Sequence, residues 1–318
     1  VKIVVLDGRT LNEDPRAWSG LDAYGEVVYH PISEPDEVFD RAVGSDVLIV
    51  NKCPVREPLI ARLPDLKFIA VTATGFDCVD VAAAKARGVA VSNVRGYSTD
   101  SVAQLTFALL LELTLHVGTH SDAVFAGEWA SQPDFSIRKT PLVELAGKTM
   151  GIVGLGQIGR KVAGVAEAFG MSTIAHRPSG RTPDPSDPIP AVGLDELFER
   201  ADAISLHCPL TPTTQGLVNA DRLKKAKPTA YLLNTGRGPL IVEQDVADAL
   251  NADVIAGAAV DVVSREPISP DNPLLKAKNC IITPHIAWAT AEARERLMEA
   301  TIANVAAFAT GRPINVVG

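Results

Sequence analysis

The stretch Thr149–Gly170, TMGIVGLGQIGRKVAGVAEAFG, decides the fold. It opens on Met150, Ile152 and Val153, an apolar run of the kind that makes a strand buried on both faces. Gly154, Gly156 and Gly159 follow, while Ile158, Val162, Val165 and Phe169 recur at helical spacing. In such a strand–turn–helix unit the first glycine permits a tight turn and the second lets backbone approach a pyrophosphate. The third lets the helix pack closely on the strand. The helix N-terminus adds unsatisfied N–H groups and the positive end of its dipole. Strand, glycines and helix in that order read as a dinucleotide-binding turn rather than an ordinary tight turn.

Toward the C-terminus the same alternation continues. Strand STIAHR is followed by a proline-rich stretch, Pro178–Pro190, that must be loop. Helix LDELFERA, strand AISLHCPL, helix NADRLKKA, strand AYLLNTG and helix EQDVADALN come next, then strands VIAGAAVDV and NCIITPH. This is the strand count of a two-halved, doubly wound dinucleotide fold. Toward the N-terminus, VKIVVLD, EVVYH, DVLIV, KFIAVTA and VAVSN alternate with PDEVFDRAV and DVAAAKARG, which implies a second parallel sheet. Between the two, Ser101 and Gln104 have capping-box spacing, so a long apolar helix is expected to start there, as the hinge into the next domain. GEWASQPDFSIRKTPLVEL then has aromatics but no period and reads as an extended arm. The amphipathic stretch Thr290–Phe308 should return to the first domain. The expected domains are 1–99 with 287–318, and 100–286.

A chain of 318 residues with 47% hydrophobic and 21% charged content has room for two globular domains. A net charge of -8 argues against nucleic acid as a partner. VKIVVLDG runs straight into a strand without the pattern of a signal peptide. Leu105–Val117 is too short for a bilayer and reads as a buried helix, so a cytoplasmic protein away from membranes is expected. Cys53, Cys78, Cys208 and Cys280 are scattered and read as reduced thiols. Glu112, His116 and His120 have helical metal-ligand spacing, yet without a further ligand they read as a helix end, and no metal is expected.

In open α/β sheets ligands gather outside the carboxyl ends of the strands. The turns Asn51-Lys52 and Thr74-Gly75 are therefore candidate substrate contacts, whereas Asp7-Gly8 reads as a plain turn. Arg237, Asp261, Glu266 and His285 stand at or just past the ends of the late strands, which puts all four on one edge. An imidazole is the side chain suited to moving a proton near neutral pH. Glu266 would hold one ring nitrogen of His285 and leave the other free, and Arg237 offers a fork of donors to a carboxylate.

The motifs GLGQIG, HCPLT, NTGRG, DVVSREP and TPHIAWAT stand in one order and spacing over nearly the whole chain. In this the sequence resembles the D-isomer-specific 2-hydroxyacid dehydrogenases, and NVRGYSTDSVAQLTFALLLEL, GEW, PLVELAGKTMGIVG and HIAWATAEAR resemble the glycerate dehydrogenase (hydroxypyruvate reductase) branch. The resemblance implies a Rossmann cofactor domain inserted in a flavodoxin-like substrate domain, both doubly wound parallel sheets. It implies that His285 donates a proton to a keto oxygen with Glu266 as its partner, while Arg237 binds the carboxylate and polarises the carbonyl. Asp261 would hold the nicotinamide carboxamide, and Gln157 and Ile158 would donate backbone N–H groups to the pyrophosphate. His176, Arg177, Pro209, Thr235 and Gly236 count as further cofactor contacts. Asn51, Lys52, Thr74 and Gly75 match substrate loops. Family members are usually homodimers with the arm around Trp129 crossing over.

Three departures qualify the resemblance. An NAD-specific relative carries an acidic residue at the end of the second strand, where this chain reads Ala175-His176-Arg177-Pro178-Ser179. Arg177, helped by Ser179 or Arg181, could pair with a 2′-phosphate, which points to NADP(H), or to use of both NAD(H) and NADP(H). The arm reads Pro133-Asp134-Phe135-Ser136-Ile137-Arg138, without the usual further aromatics, which bears on which 2-oxo acid fits. Gly236 stands for the usual alanine and loosens its turn. The expected reaction is reduction of hydroxypyruvate to D-glycerate. Glyoxylate reduction is the alternative, and an NAD(H)-sensing corepressor is the reading from another class.

Overall fold

The computed structural model describes residues 1–178 and 187–318, so Ser179 and Arg181 lie outside the described residues. In chain order the elements begin with β1 (Lys2–Val5), β2 (Glu26–Tyr29), α1 (Val38–Ala42), β3 (Val47–Val50) and α2 (Glu57–Ile60). They continue with β4 (Phe68–Val71), α3 (Val81–Ala86), β5 (Ala90–Ser92), α4 (Thr99–Leu115) and α5 (Val117–Phe125). Next come β6 (Thr149–Val153), α6 (Gln157–Ala168), β7 (Ser172–His176), α7 (Leu194–Arg200), β8 (Ala203–Leu206) and α8 (Ala220–Leu223). The last are β9 (Tyr231–Asn234), α9 (Glu243–Asn251), β10 (Gly257–Val260), β11 (Cys280–Ile282) and α10 (Ala291–Ala309). The chain divides into one unit of Val1–Ser98 with Ala289–Gly318 and a second of Thr99–Trp288.

The first unit is a five-stranded parallel sheet in the order β2-β1-β3-β4-β5, the flavodoxin-like arrangement. Its central strands, VLIV and FIAV, are buried along their whole length because helices cover both faces. α10 belongs to this unit; Thr290 caps it by accepting from Ala293 N at 3.3 Å. Beyond α10 the chain lies along β5, where Val316 bridges Ser92 and Val317 N donates to Val91 O at 2.8 Å.

The second unit is a six-stranded parallel sheet ordered β11-β10-β9-β8-β6-β7. Two apolar clusters cover its faces, one around Phe198, Leu240 and Val246, the other around Phe107, Leu110 and Val162. The outermost strand of a full Rossmann sheet survives as one bridge: Ala191 pairs with Ala175, with Ala175 N to Pro190 O and Val192 N to Ala175 O both at 2.9 Å. Proline at 190 leaves no amide to extend that ladder, which is why the sequence reads only as loop there.

Two local expectations are corrected. α4 begins at Thr99, not Ser101, and the Ser101 hydroxyl donates to Ala287 O at 2.5 Å instead of capping. The helix also does not run on through His116, which adopts a left-handed conformation (φ 47°) and separates α4 from α5 at a bend of 58°. His120 takes up the neighbouring polar groups: its Nδ1 lies 2.8 Å from His116 O and its Nε2 accepts from Lys139 N at 3.1 Å. Glu112 accepts from Gly118 N at 3.2 Å. Among the described residues no single helix is long and apolar enough to cross a membrane, and all four cysteines are free thiols.

Candidate active site

The glycine turn joins β6 to α6 with each glycine serving a distinct purpose. Gly154 has φ +100°, and a Cβ there would stand 2.5 Å from Cys208 N, so the loop after β8 crosses directly over it. At Gly159 a Cβ would stand 2.3 Å from Gly154 O, which is the close helix–strand packing expected of the third glycine. Gly156 is different: a Cβ there meets nothing within 4 Å. That opening faces the start of α6, whose first intrahelical bond, Arg160 N to Gly156 O at 2.9 Å, leaves Gln157 and Ile158 ahead of the ladder. Open space beside leading amides fits the phosphates of a dinucleotide.

Because every strand of the sheet is parallel, its strand ends share one edge. His176 ends β7, with Nδ1 3.2 Å from Val192 O. Arg177, next along, is ion-paired with Asp187, which also pairs with Arg160 at 2.6 Å. The Asp187 side chain is only 3% exposed. The Arg160 guanidinium, aided by Arg177, outweighs burial and holds its carboxyl down to about 2. The sequence offers no hint of this pairing, because Asp187 lies ten residues on within the proline-rich stretch. After β8, His207 Nε2 lies 2.7 Å from Ser205 Oγ, and burial pushes its imidazole down to about 4, which keeps it neutral. Pro209 O accepts the Thr214 hydroxyl at 2.7 Å.

β9 ends at Asn234, a fully buried side chain that shapes the turn carrying Arg237. Its Oδ1 accepts from Gly236 N at 3.1 Å and its Nδ2 donates to Arg237 O at 3.0 Å. Thr235 is buried, its hydroxyl 3.3 Å from that of Thr106. Arg237 Nη1 donates to Gly236 O at 2.9 Å. Gly238 abuts the next loop, since a Cβ there would stand 2.0 Å from Val263 C and 2.4 Å from Ser264 N.

Asp261, ending β10, is buried and organises the turn after β11. Its Oδ1 accepts from Thr283 Oγ1 at 2.6 Å and Ile286 N at 2.9 Å, while Oδ2 accepts from Ala287 N at 2.8 Å. His285, at the crest of that turn, has φ +55° and donates its own N–H to Asp261 O at 2.8 Å. Its ring Nδ1 lies 2.6 Å from Glu266 Oε2, and Glu266 Oε1 accepts from Val263 N at 3.3 Å. The structure thus pairs two of the residues singled out from sequence and places Arg237 on the same sheet edge. With Nδ1 committed to the carboxylate, Nε2 is the nitrogen available to exchange a proton.

In the first unit Asp7 is not a plain turn residue. Its carboxylate accepts three successive amides, Asn51 N at 2.8 Å, Lys52 N at 2.6 Å and Cys53 N at 2.8 Å. The Asn51 amide is turned inward to Thr72 O at 2.6 Å, leaving Lys52 as the exposed side chain of that turn. Thr74 Oγ1 donates to Val94 O at 2.8 Å, and Asn93 Nδ2 donates to Thr74 O at 2.7 Å, which pins the turn before Gly75.

Comparison with known proteins bears on this geometry. Residues 107–287 match the family model described as D-isomer specific 2-hydroxyacid dehydrogenase, NAD binding domain. The chain is 46% identical over 320 residues to the hydroxypyruvate reductase of Blautia hydrogenotrophica, covering 100% of this chain and 99% of that one. It is 39% identical over 318 residues to the glycerate dehydrogenase of Methylorubrum extorquens, at 99% and 98% coverage. Among solved structures, it is similar to the NADPH-dependent glyoxylate/hydroxypyruvate reductase of Sinorhizobium meliloti in complex with NADP and malonate. That likeness has a TM-score of 0.84 and 30% identity, over 100% of this chain and 96% of that one.

Proposed function

The chain belongs to the D-isomer specific 2-hydroxyacid dehydrogenase family, an oxidoreductase family, and from that membership we propose that it reduces hydroxypyruvate to D-glycerate. The observation that carries the proposal is the His285 Nδ1 to Glu266 Oε2 contact of 2.6 Å at the carboxyl edge of a dinucleotide-binding sheet. A nicotinamide cofactor held by the glycine turn would supply the hydride for C2 of the 2-oxo acid. His285 gives the proton from Nε2 to the carbonyl oxygen, which becomes the hydroxyl group. Glu266 engages Nδ1 and holds the ring with Nε2 turned outward. Arg237 offers its guanidinium to the substrate carboxylate and the developing alkoxide. Lys52 and the Thr74-Gly75 turn are the proposed substrate contacts of the first unit.

For the cofactor, Gly154, Gly156, Gly159 and the leading amides at Gln157 and Ile158 are proposed to take the pyrophosphate, with Pro209, Thr235, Gly236 and Asp261 lining the nicotinamide side. The paired Arg177 and Arg160 share a single carboxylate and so keep one net positive charge beside His176. That charge supports NADP(H), while Asp187 tempers it enough that NAD(H) is also taken. We further propose a cytoplasmic homodimer formed through the second unit. Phe125 and Phe135 are each 88% exposed there, and the same unit carries an apolar groove of about 370 Å³ lined by Leu111, Leu115, Leu142 and Phe169.

A spectrophotometric panel of 2-oxo acids, each with NADH and NADPH, tests the reading. Hydroxypyruvate should give the highest kcat/KM, and Arg177→Asp should move the cofactor ratio toward NADH. Preference for glyoxylate would reassign the substrate. Slow, unselective turnover of every acid would instead favour a nicotinamide-sensing binding protein.

A further inference from the structure

We propose that Glu243 is a positioning residue for the Glu266–His285 pair, acting by clasping both ends of the segment that carries Glu266. The inference rests on the reading that this pair delivers the proton to a 2-oxo acid. Glu243 opens α9, six residues after Arg237. Its Oε1 accepts from Ser264 N at 2.7 Å, and its Oε2 accepts both the Ser264 hydroxyl at 2.6 Å and the Asn272 side-chain amide at 3.1 Å. Ser264 stands two residues before Glu266 and Asn272 six after it, so one carboxylate closes the whole excursion.

Both anchor points are themselves fixed. Asn272 Oδ1 accepts from Leu274 N at 3.0 Å, which starts a short 3-10 turn over Pro273–Lys276. At the other end, the close approach of Gly238 to Val263 and Ser264 sets the distance between the Arg237 turn and the Glu266 loop. A carboxylate in the first turn of a helix is ordinarily explained by the helix dipole. Here its bonds run outward to the loop instead, and they are charge-assisted. Glu266 draws one of its own donors, Val263 N, from the residue next to Ser264. Releasing Ser264 therefore loosens the carboxylate that orients His285.

The test compares Glu243→Ala, Glu243→Gln, Ser264→Ala and Glu266→Gln in the full chain, with hydroxypyruvate and NADPH. Glu243→Ala should lower kcat by roughly 10–100-fold, since misplacing a catalytic group by about 1 Å costs on that order. KM and the NADPH dissociation constant, read by fluorescence titration, should stay within about threefold. Its pH–kcat profile should follow that of Glu266→Gln, a change that loss of stability alone does not produce. Glu243→Gln keeps an acceptor for Ser264 N and should restore most of the rate. If Glu243→Ala fails to fold, Ser264→Ala carries the measurement, with a smaller fall in kcat. Unchanged kcat in Glu243→Ala, or in Ser264→Ala where Glu243→Ala does not fold, or a loss confined to KM, overturns the positioning role. Retained kcat in Glu266→Gln overturns the reading of the pair itself, so the two failures are distinguishable.

Discussion

Gly238→Ala puts the spacing of the site directly at risk. The added Cβ would stand 2.0 Å from Val263 C, 2.1 Å from Val263 O and 2.4 Å from Ser264 N. Ordinary contacts between carbon atoms lie near 3.5 Å, so the two segments must separate by about 1.5 Å. All three obstructing atoms are backbone, and no rotamer change relieves them. Overpacking of this kind costs about 1–3 kcal/mol, with the upper end expected where only backbone can move. For a unit of this size the upper end corresponds to a fall of roughly 6–12 °C in Tm. Because the displaced loop carries Glu266, the separation should also reduce kcat on the order of 100-fold. Calorimetry alongside steady-state kinetics and a cofactor titration measures all three. A variant with wild-type Tm and kcat would refute the argument that this approach fixes the Arg237 turn against the Glu266 loop.

Gly156→Ala is the counterpart: with nothing near its Cβ the fold should keep its Tm, while the cofactor dissociation constant rises at least about tenfold as the methyl enters the pyrophosphate space. Retained cofactor affinity would move the phosphate elsewhere. His285→Ala should abolish reduction and leave cofactor binding intact; residual turnover near the wild-type rate would show that another group supplies the proton. Asp187 is held down to about 2, so its contribution to stability is present above the usual carboxyl range and is lost as pH falls through about 2. Urea denaturation should therefore find Asp187→Asn less stable than wild type by about 1–2 kcal/mol at pH 7, with the gap closing between pH 4 and 2. A gap that does not change with pH would mean that the carboxylate's charge is not what it contributes.

Much of this architecture is legible in the chain because it is local. A parallel strand buried on both faces must be apolar throughout, and a glycine turn must precede its helix, so β6, α6 and their neighbours announce themselves. The polar residues at strand ends are equally visible, since His285 and Glu266 interrupt otherwise apolar or turn-like runs. What escapes is set by partners distant in sequence. Asp7 looks like any turn aspartate until its amide donors, 44 to 46 residues on, are brought to it. Asn234 reads as the last residue of a strand, yet its buried amide shapes the Arg237 turn. The break at His116 falls on a non-glycine residue without a proline beside it, and the nearby Gly118 lies inside the next helix. Ala191 is a strand of one residue, too short for any period to show.

The first unit is assembled from two distant pieces of chain, and its β5 edge is closed by the segment after α10. On the ribosome, Thr99–Trp288 emerges as one continuous block and can complete its sheet while β5 still waits, its pairing groups bare. An open strand edge invites pairing with another nascent chain. The stretch through Val317 thus acts as a latch, taking up the pairing groups of that border once it docks.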